Sequence, residues 1–177
     1  MRLENRNMNF SKKELIETDA TMNQMRNSIH ILASLMEKNG LPDLKNRLRK
    51  MGQNIARTYI QYWRPTDKVN PSNLKDVITT IYQKVLNSTP SVEINDAEYL
   101  VKVQDYKCAL CKYHYDDIEI AGCEIILGMV SEIISSISKE SPDPSSIFLE
   151  PYKVVESRAY GNKSCIQLYK YKTRKRN

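Results

Sequence analysis

The segment from Ile120 to Ser138 is the most apolar stretch of the chain, and it constrains the fold more than any other feature. Its apolar residues recur at steps of three and four, which is the period of one face of an α-helix. Further apolar residues widen this face, and a helix that is apolar on most sides must be buried. We therefore predict a buried central helix. The residues of this face are Cys123, Ile125, Ile126, Leu127, Met129, Val130, Ile133, Ile134 and Ile137.

Three amphipathic helices are predicted before the central helix. Apolar residues at helical spacing indicate a first helix over 21–36, and Gly40 follows it as a stop signal. A second helix is predicted over 43–63, between Pro42 and Pro65. The third is predicted to begin after Ser72 or Asn73 and to end before the Asn-Ser-Thr-Pro sequence at 87–90.

The period of the apolar residues then changes from 3.6 to 2. Tyr99, Val101 and Val103 alternate with other residues, which is typical of a β-strand. Cys108 to Tyr115 is interpreted as a second strand, joined to the first by a hairpin turn at 104–107. Two more strands, over 148–157 and 165–171, are predicted after the central helix. The sequence thus predicts an α+β fold, a four-stranded antiparallel sheet with helices on one face, in the order ααα-ββ-α-ββ.

Length and charge indicate how the chain is organised. The 177 residues suggest one domain, over 21–171, with a polar N-terminal extension at 1–20 and a basic tail at 172–177. The formal net charge is +6, but without the five basic residues of 170–177 the chain has 22 basic and 21 acidic side chains. The charge therefore indicates no nucleic-acid-binding surface. A solvated tail, or weak contact of the tail with an anionic membrane surface, is the expectation.

Several classes of function are excluded or disfavoured by composition. The five glycines form neither a dinucleotide-binding motif nor a P-loop. The first twenty residues lack the apolar segment of a secretory signal, and no stretch of about 18 apolar residues occurs. We therefore expect a cytoplasmic protein, in contact with membranes only peripherally. With two histidines, His30 and His114, and no nucleophile placed beside a base, we expect no enzyme.

The four cysteines are the residues most suited to bind a metal. In a reducing compartment they are thiols or ligands before they are disulfides. Cys108 and Cys111 have the C-x-x-C spacing of a zinc knuckle or redox pair, and His114 extends it. On a strand, however, residues three apart point to opposite faces, so Cys111, Cys123 and Cys165 are the metal-ligand candidates. The alternative is that the thiols are buried as small apolar groups.

Three segments carry a family resemblance. Leu48 to Ala56, LRKMGQNIA, resembles the L-x-K-M-G-x-x-I/V-G helix of the small subunits of TRAPP, the transport protein particle tethering complex. Cys123 to Glu132, CEIILGMVSE, is similar to their C-G-x-x-x-G-A-L-E helix. Asp76 to Val92 resembles their third helix and the Thr-Pro turn after it. The resemblance extends over residues 22–171.

This resemblance implies a non-enzymatic subunit that dimerises through its helical side. Such a homodimer acts as a scaffold in vesicle tethering or small-GTPase regulation, with other TRAPP-like subunits or a small GTPase as partners. The resemblance does not extend to covalent acylation, because no cysteine precedes Cys108. No cofactor is required, and zinc or a bound lipid are the candidates. Close helix packing is expected at Gly52, Ala56 and Gly128, and a hydrophobic channel at Met51, Ile55, Tyr59, Ile81, Val85 and Leu127.

The C-terminal part also resembles a sister family. Glu156-Ser157, followed by Gly161 to Cys165, is similar to the E-x-x-C-x-x-G-x-x-x-C-x-F ending of 4-vinyl-reductase domains, which are small ligand-binding modules. Ala159 stands in place of the first cysteine of that motif. The alternative function is therefore a small-molecule or metal-binding sensor domain.

Overall fold

The order of helices and strands agrees with the prediction. The computed structural model describes residues 12–174, with side chains from residue 20 onward. A single 3-10 turn, Arg158–Tyr160, lies between the last two strands. The described elements are α1 (Lys12–Lys38), α2 (Leu44–Tyr59), α3 (Leu74–Val85), β1 (Ser91–Asn95), β2 (Leu100–Asp105), α4 (Cys123–Glu140), β3 (Ile147–Glu156) and β4 (Cys165–Thr173).

The four strands form one antiparallel sheet in the order β1-β2-β4-β3. In the central pair, Val101 lies opposite Tyr169 and Val103 opposite Gln167, and all four side chains are buried. Because alternate residues of a strand share a face, this face of the sheet is the one covered by helices. α4 packs against β3 and β4, and α3 against β1. The predicted fold class, a four-stranded sheet with helices on one face, is confirmed.

The prediction of a strand over Cys108–Tyr115 is wrong. Residues 106–122 contain no helix or strand, and the hairpin partner of β2 is β1, which precedes it. Tyr99, taken as the first strand residue, lies in the turn between β1 and β2 with a φ of 54°. β1 has only five residues, of which Val92 is buried, so its alternation is too short to stand out from the sequence.

α1 is longer than its apolar stripe. The helix begins at Lys12, where 21 was predicted, because residues 12–20 are mostly good helix formers without a continuous apolar face. It ends at Lys38, before Gly40, which has the left-handed φ of 65°. The predicted extension at 1–20 is therefore divided: residues 12–20 belong to α1, and 1–11 lie outside the described residues.

α2 and α4 are in direct backbone contact. A Cβ atom added to Gly52 would lie 1.9 Å from the carbonyl oxygen of Ile125, and one added to Gly128 would lie 2.1 Å from that of Arg49. Ala56, one turn after Gly52, is fully buried in the core. Only glycine permits the two backbones to approach this closely.

Arginine–glutamate pairs follow the α2–α4 contact. Arg49 Nε lies 2.7 Å from a carboxylate oxygen of Glu124, and Arg57 Nε lies 2.7 Å from one of Glu132. A third pair joins Arg64 to Glu140 beyond the end of α2. The paired residues occur in the same order along α2 and α4, so the two helices run parallel.

The C-terminal basic residues are partly integrated into the fold. β4 continues through Thr173, and Lys172 pairs with Glu150 on the neighbouring strand. The Arg174 guanidinium donates hydrogen bonds to the carbonyl oxygens of Ser138 and Ser141 at the end of α4. Of the predicted tail at 172–177, only residues 175–177 lie outside the described part of the chain.

Candidate functional site

The four cysteines converge in the core from three parts of the chain. The Sγ atoms of Cys108, Cys111 and Cys165 lie within 4.8 Å of one another. Cys123, the first residue of α4, lies beside this group, with its Sγ 3.6 Å from the Ser157 hydroxyl oxygen, which is also 3.8 Å from Cys165 Sγ. All four are buried free thiols. Of the three predicted ligand candidates, the structure thus groups Cys111 and Cys165 with Cys108, and it places Cys123 next to this group.

A turn between Cys108 and Cys111 places both thiols on one side. The backbone N–H of Cys111 donates to the carbonyl oxygen of Cys108 at 3.4 Å, whereas a strand would direct the two side chains to opposite faces. The start of the segment is fixed by Asp105, whose carboxylate accepts hydrogen bonds from the Lys107 N–H, at 2.8 Å, and the Ser88 hydroxyl. Asp105 lies opposite Cys165 in the β2–β4 register, so the turn begins beside the fourth cysteine.

Polar groups of the 3-10 turn are directed at the sulfur atoms. The backbone N–H of Arg158 donates to Cys165 Sγ at 3.4 Å. The Ser157 hydroxyl oxygen lies 3.6 Å from Cys123 Sγ and 3.8 Å from Cys165 Sγ. The Arg158 N–H is a donor to sulfur and would stabilise a negative charge on Cys165, while the Ser157 hydroxyl oxygen accepts from the Cys123 thiol, so the cluster is bordered by polar groups.

The four thiols differ in acidity. Hydrogen bonds from the thiols of Cys108, Cys111 and Cys123, together with the Arg158 N–H, lower the pKa of Cys165. Hydrogen bonding to Cys111 and Cys165, added to by burial, raises the pKa of both Cys108 and Cys123.

His114 does not belong to the cysteine cluster, although its sequence position had suggested an additional ligand. Its side chain is exposed, with Nε2 3.4 Å from a carboxylate oxygen of Asp116. The ring lies beside Gly161, where an added Cβ would be 3.7 Å away.

The core also contains a buried polar cluster of Tyr82, Gln167 and Tyr169, which the sequence analysis did not identify. The hydroxyls of Tyr82 and Tyr169 both donate to the side-chain oxygen of Gln167, and they lie 3.2 Å from each other. The Gln167 Nε2 is buried with no hydrogen-bond partner among the described residues. Burial raises the pKa of both tyrosines, so both stay protonated as donors. Tyr82 and Tyr169 stand at apolar positions of α3 and β4, which gives no signal of a polar cluster.

Helix α1 is held to the fold by the C-x-x-C turn. Arg26 Nε donates to the carbonyl oxygen of Ala109, and His30 Nε2 donates to that of Leu110 at 3.0 Å. These two carbonyls belong to the only residues between Cys108 and Cys111. Burial lowers the pKa of His30, whose ring also stacks on Tyr115 at 4.0 Å.

The opposite face of α1 is apolar and exposed. Met25, Ile31, Leu32 and Leu35 are each about half exposed or more, and Ile31 reaches 68%. At 100° per residue these four positions fall within one third of the helix circumference. His30, Ala33 and Ser34, on the other side of the helix, are buried.

The six predicted channel residues do not line one cavity in the described part of the chain. Ile81 and Leu127 are fully buried in the main core. Met51 and Ile55 line a groove on the outside of α2, together with Pro42 and Arg47. The remaining two are partly buried: Val85 packs against the core, and Tyr59 contacts Trp63 edge to face.

Comparisons with known proteins give a match in structure alone. No family model matches the chain, and no curated protein matches it. The fold is similar to a crystal structure of a trafficking protein particle complex subunit 3 from Naegleria fowleri covalently bound to palmitic acid, with a TM-score of 0.62. The match covers 90% of this chain and 99% of that chain at 14% sequence identity. No described helix combines the length and apolarity needed to cross a membrane. The similarity therefore establishes a TRAPP-subunit-like fold, and at this identity only the fold.

Proposed function

We propose that this chain is a non-enzymatic, TRAPP-like subunit that acts as a dimeric scaffold in vesicle tethering or small-GTPase regulation. The observation that carries the proposal is the mutual coverage of the structural match. The match leaves 1% of the trafficking subunit and 10% of this chain unmatched. The chain therefore has the fold of nearly the entire matched subunit, with few additional residues. The sequence resemblance in α2 and α4 supports the same assignment. Fold alone does not determine function, so the proposal needs its own test.

The exposed apolar face of α1 is the proposed dimer interface, with a second copy of this chain as its occupant. Single exposed apolar residues are ordinary, but four on one face of a helix are typical of an interaction surface. A two-fold interface uses the same patch on both subunits, and an apolar helix face is complementary to itself. Met25, Ile31, Leu32 and Leu35 would then be buried in the homodimer.

The oligomeric state tests this proposal. We expect a dimer at micromolar concentration in size-exclusion chromatography with light scattering. The double variant Ile31→Glu, Leu35→Glu should be monomeric, because two buried carboxylates in each subunit would oppose association. Val155→Glu, at a half-exposed apolar residue of β3, is the matched control and should remain dimeric. A monomeric wild-type protein would overturn the dimeric scaffold.

Other TRAPP-like subunits or a small GTPase are the proposed partners of the remaining surface. Co-purification of a subunit or GTPase with the tagged full chain, and its loss on high salt, would identify a charged contact. Weak contact with a membrane surface through the tail would rely on Lys175 and Arg176, since Lys170 lies over the Tyr152 ring and Arg174 bonds to α4.

A hydrophobic ligand is not required for the proposed scaffold. The neighbouring structure is covalently bound to palmitic acid, but all four cysteines of this chain are buried, which leaves no accessible thiol for a thioester. A noncovalent ligand that entered from the groove at Met51 and Ile55 would have to separate α2 from α4 to reach Leu127, against the close contact at Gly52.

The second candidate function is a small-molecule or metal-binding sensor of the 4-vinyl-reductase type. The convergence of the four buried cysteines favours it, because that family resemblance includes Cys165. Native mass spectrometry of gently purified protein separates the two candidates. A dimer without any retained organic molecule favours the scaffold, whereas a retained hydrophobic molecule favours the sensor.

A further inference from the structure

We propose that Cys108, Cys111, Cys123 and Cys165 bind one zinc ion through four sulfur ligands, in a closed structural site. The inference stands on the positions of the sulfur atoms and is independent of the proposed scaffold function. It also assigns a task to the segment 106–122, which the scaffold function does not explain.

The spacing of the sulfur atoms suits a single tetrahedral ion. Zinc–sulfur bonds of about 2.3 Å place the sulfurs of a tetrahedron about 3.8 Å apart. The sulfurs of Cys108, Cys111 and Cys165 all lie within 4.8 Å of one another. Cys123 Sγ is not within that distance of all three, but the Ser157 hydroxyl oxygen lies 3.6 Å from it and 3.8 Å from Cys165 Sγ, so a small movement of the side chain would complete the tetrahedron. A C-x-x-C turn with two distant cysteines is a common ligand pattern of structural zinc sites.

The surroundings of the cluster suit thiolate ligands. The Arg158 N–H is directed at Cys165 Sγ, and the Ser157 hydroxyl lies between the sulfurs of Cys123 and Cys165. Such contacts fix the orientation of metal ligands and moderate their negative charge. All four side chains are buried, which leaves no open position for a substrate or reactive water. The site is therefore structural, because a catalytic zinc keeps one open position.

The site would fix a segment that has little regular structure of its own. Residues 106–122 join β2 to α4 without a helix or strand. Two of the four ligands lie in this segment, and the other two begin the elements α4 and β4. A single ion would thus tie the segment to the central helix and to the middle of the sheet.

Zinc would also contribute to the docking of α1, whose Ala33 packs in addition against Leu44, Leu48 and Ile125. The carbonyl oxygens of Ala109 and Leu110 accept the hydrogen bonds of Arg26 and His30, and both residues lie inside the C-x-x-C turn. Closing the turn around an ion orients these two carbonyls. Metal binding would thereby affect the position of the exposed apolar face of α1. An effect of the metal on dimerisation rests on the proposed dimer.

The metal content of the wild-type chain is the first test. The full chain is produced with zinc in the medium, purified without chelator, and analysed by inductively coupled plasma mass spectrometry. We expect about one zinc per chain, released by about four equivalents of an organomercurial that titrates thiolates. Cobalt bound in place of zinc should give sulfur-to-metal charge-transfer absorption and the intense visible bands of tetrahedral coordination. Protein without stoichiometric zinc and without this cobalt spectrum would overturn the proposal, as would iron with inorganic sulfide.

A variant then tests the ligand assignment. Cys123→Ser should weaken zinc binding at least tenfold in competition with a chromophoric chelator. Ser131→Ala, at a buried serine of α4 whose hydroxyl bonds only within the helix, is the matched control and should bind zinc as the wild type does. If Cys123→Ser does not fold, the mercurial and cobalt measurements on the wild type still decide the question. Unchanged zinc affinity in a folded Cys123→Ser would overturn the four-ligand site.

Hydrogen exchange with and without chelator tests the coupling to α1. We expect removal of zinc to accelerate exchange in residues 20–38 and 106–122, while β2 and β4 stay protected. Equal exchange in α1 under both conditions would overturn the coupling. A zinc-bound monomer would contradict the proposed dimer alone, and a metal-free dimer would contradict the zinc site alone.

Discussion

Gly52 and Gly128 show how two single residues fix the distance between α2 and α4. Each lies where the backbone of the other helix passes, so even a methyl group has no space. We expect Gly52→Ala to lower the free energy of unfolding by about 1–3 kcal/mol, because the helices must separate. Urea denaturation measures the loss. Gly122→Ala is the control: its added Cβ has no neighbour closer than 3.5 Å, so its stability should stay within about 0.5 kcal/mol of wild type.

His30 gives the stability of the fold a dependence on pH. Its Nε2 donates to Leu110, so an added proton must enter at Nδ1, which is buried with no partner among the described residues. Burial lowers the pKa of His30 below 6.5, against the opposing influence of Asp117. The unfolded chain therefore binds the proton more readily, and this contribution to stability is lost as the pH falls below about 6.5.

We expect the difference in unfolding free energy between wild type and His30→Gln to shrink as the pH falls from 7.5 to 5.5. Glutamine keeps a side-chain N–H donor but does not titrate, so subtracting its pH profile removes the contributions of all other groups. Urea denaturation at several pH values gives both curves. Parallel curves for the two proteins would show that His30 does not titrate in this range.

At the scale of the elements, the arginine–glutamate pairs along α2 and α4 differ in burial and should differ in energy. The Arg49–Glu124 pair is almost fully enclosed, whereas Arg57 is half exposed. Arg49→Ala leaves the Glu124 carboxylate buried and unpaired, and we expect a loss of about 3–5 kcal/mol. Arg57→Ala should cost less, about 1–3 kcal/mol, because Glu132 is also buried but the half-exposed Arg57 side of the pair leaves its carboxylate closer to solvent. Double-mutant cycles with Glu124→Gln and Glu132→Gln measure the two coupling energies, and equal values would contradict the difference in burial.

The helices and strands differ in how well they could be predicted from the sequence. α4 is predictable because apolar residues occupy most of its circumference. α2 and α3 are predictable because their buried residues, such as Leu48 and Ile78, belong to sets that recur at helical spacing. β1 is an edge strand of five residues, too short to show alternation against its surroundings. The segment from Cys108 has strand-like composition, but its backbone forms a turn in which Cys108 and Cys111 contact Cys165, a residue distant in sequence. Local periodicity contains no information about contacts between residues so far apart.

The candidate site was predictable in its residue types and not in its geometry. Cys111, Cys123 and Cys165 were identified as ligand candidates, whereas the structure groups Cys111 and Cys165 with Cys108 and places Cys123 beside them. Cys108 was set aside because residues three apart diverge on a strand, an argument that fails once the segment is a turn. The docking of α1 on the carbonyls of Ala109 and Leu110 had no signal, since backbone acceptors exist at every residue.

At the scale of the whole molecule, Arg174 is the last described residue, and it is hydrogen-bonded to the fold. Its guanidinium donates to two carbonyls at the end of α4 and lies 5.7 Å from the centre of the Phe148 ring. Removing residues 175–177 should leave stability unchanged, whereas removing 174–177 should lower it by about 1.5–3 kcal/mol, the contribution of hydrogen bonds from a charged group. Thermal unfolding compares the two truncations. If the tail contacts membranes, sedimentation with anionic vesicles should decrease equally in both, because each lacks Lys175 and Arg176.

The anchoring of α1 has a consequence for the order of events during synthesis. Arg26 and Ala109 are separated by 83 residues, so the helix leaves the ribosome long before its acceptor carbonyls exist. Arg49 and Glu124, 75 residues apart, impose a similar delay on α2. At about 5–20 residues per second, the first helix stays undocked for several seconds, and the complete cysteine set appears only when Cys165 emerges. We therefore expect the outward apolar residues of α1 to be accessible throughout that interval to any factor that binds apolar helices at the tunnel exit.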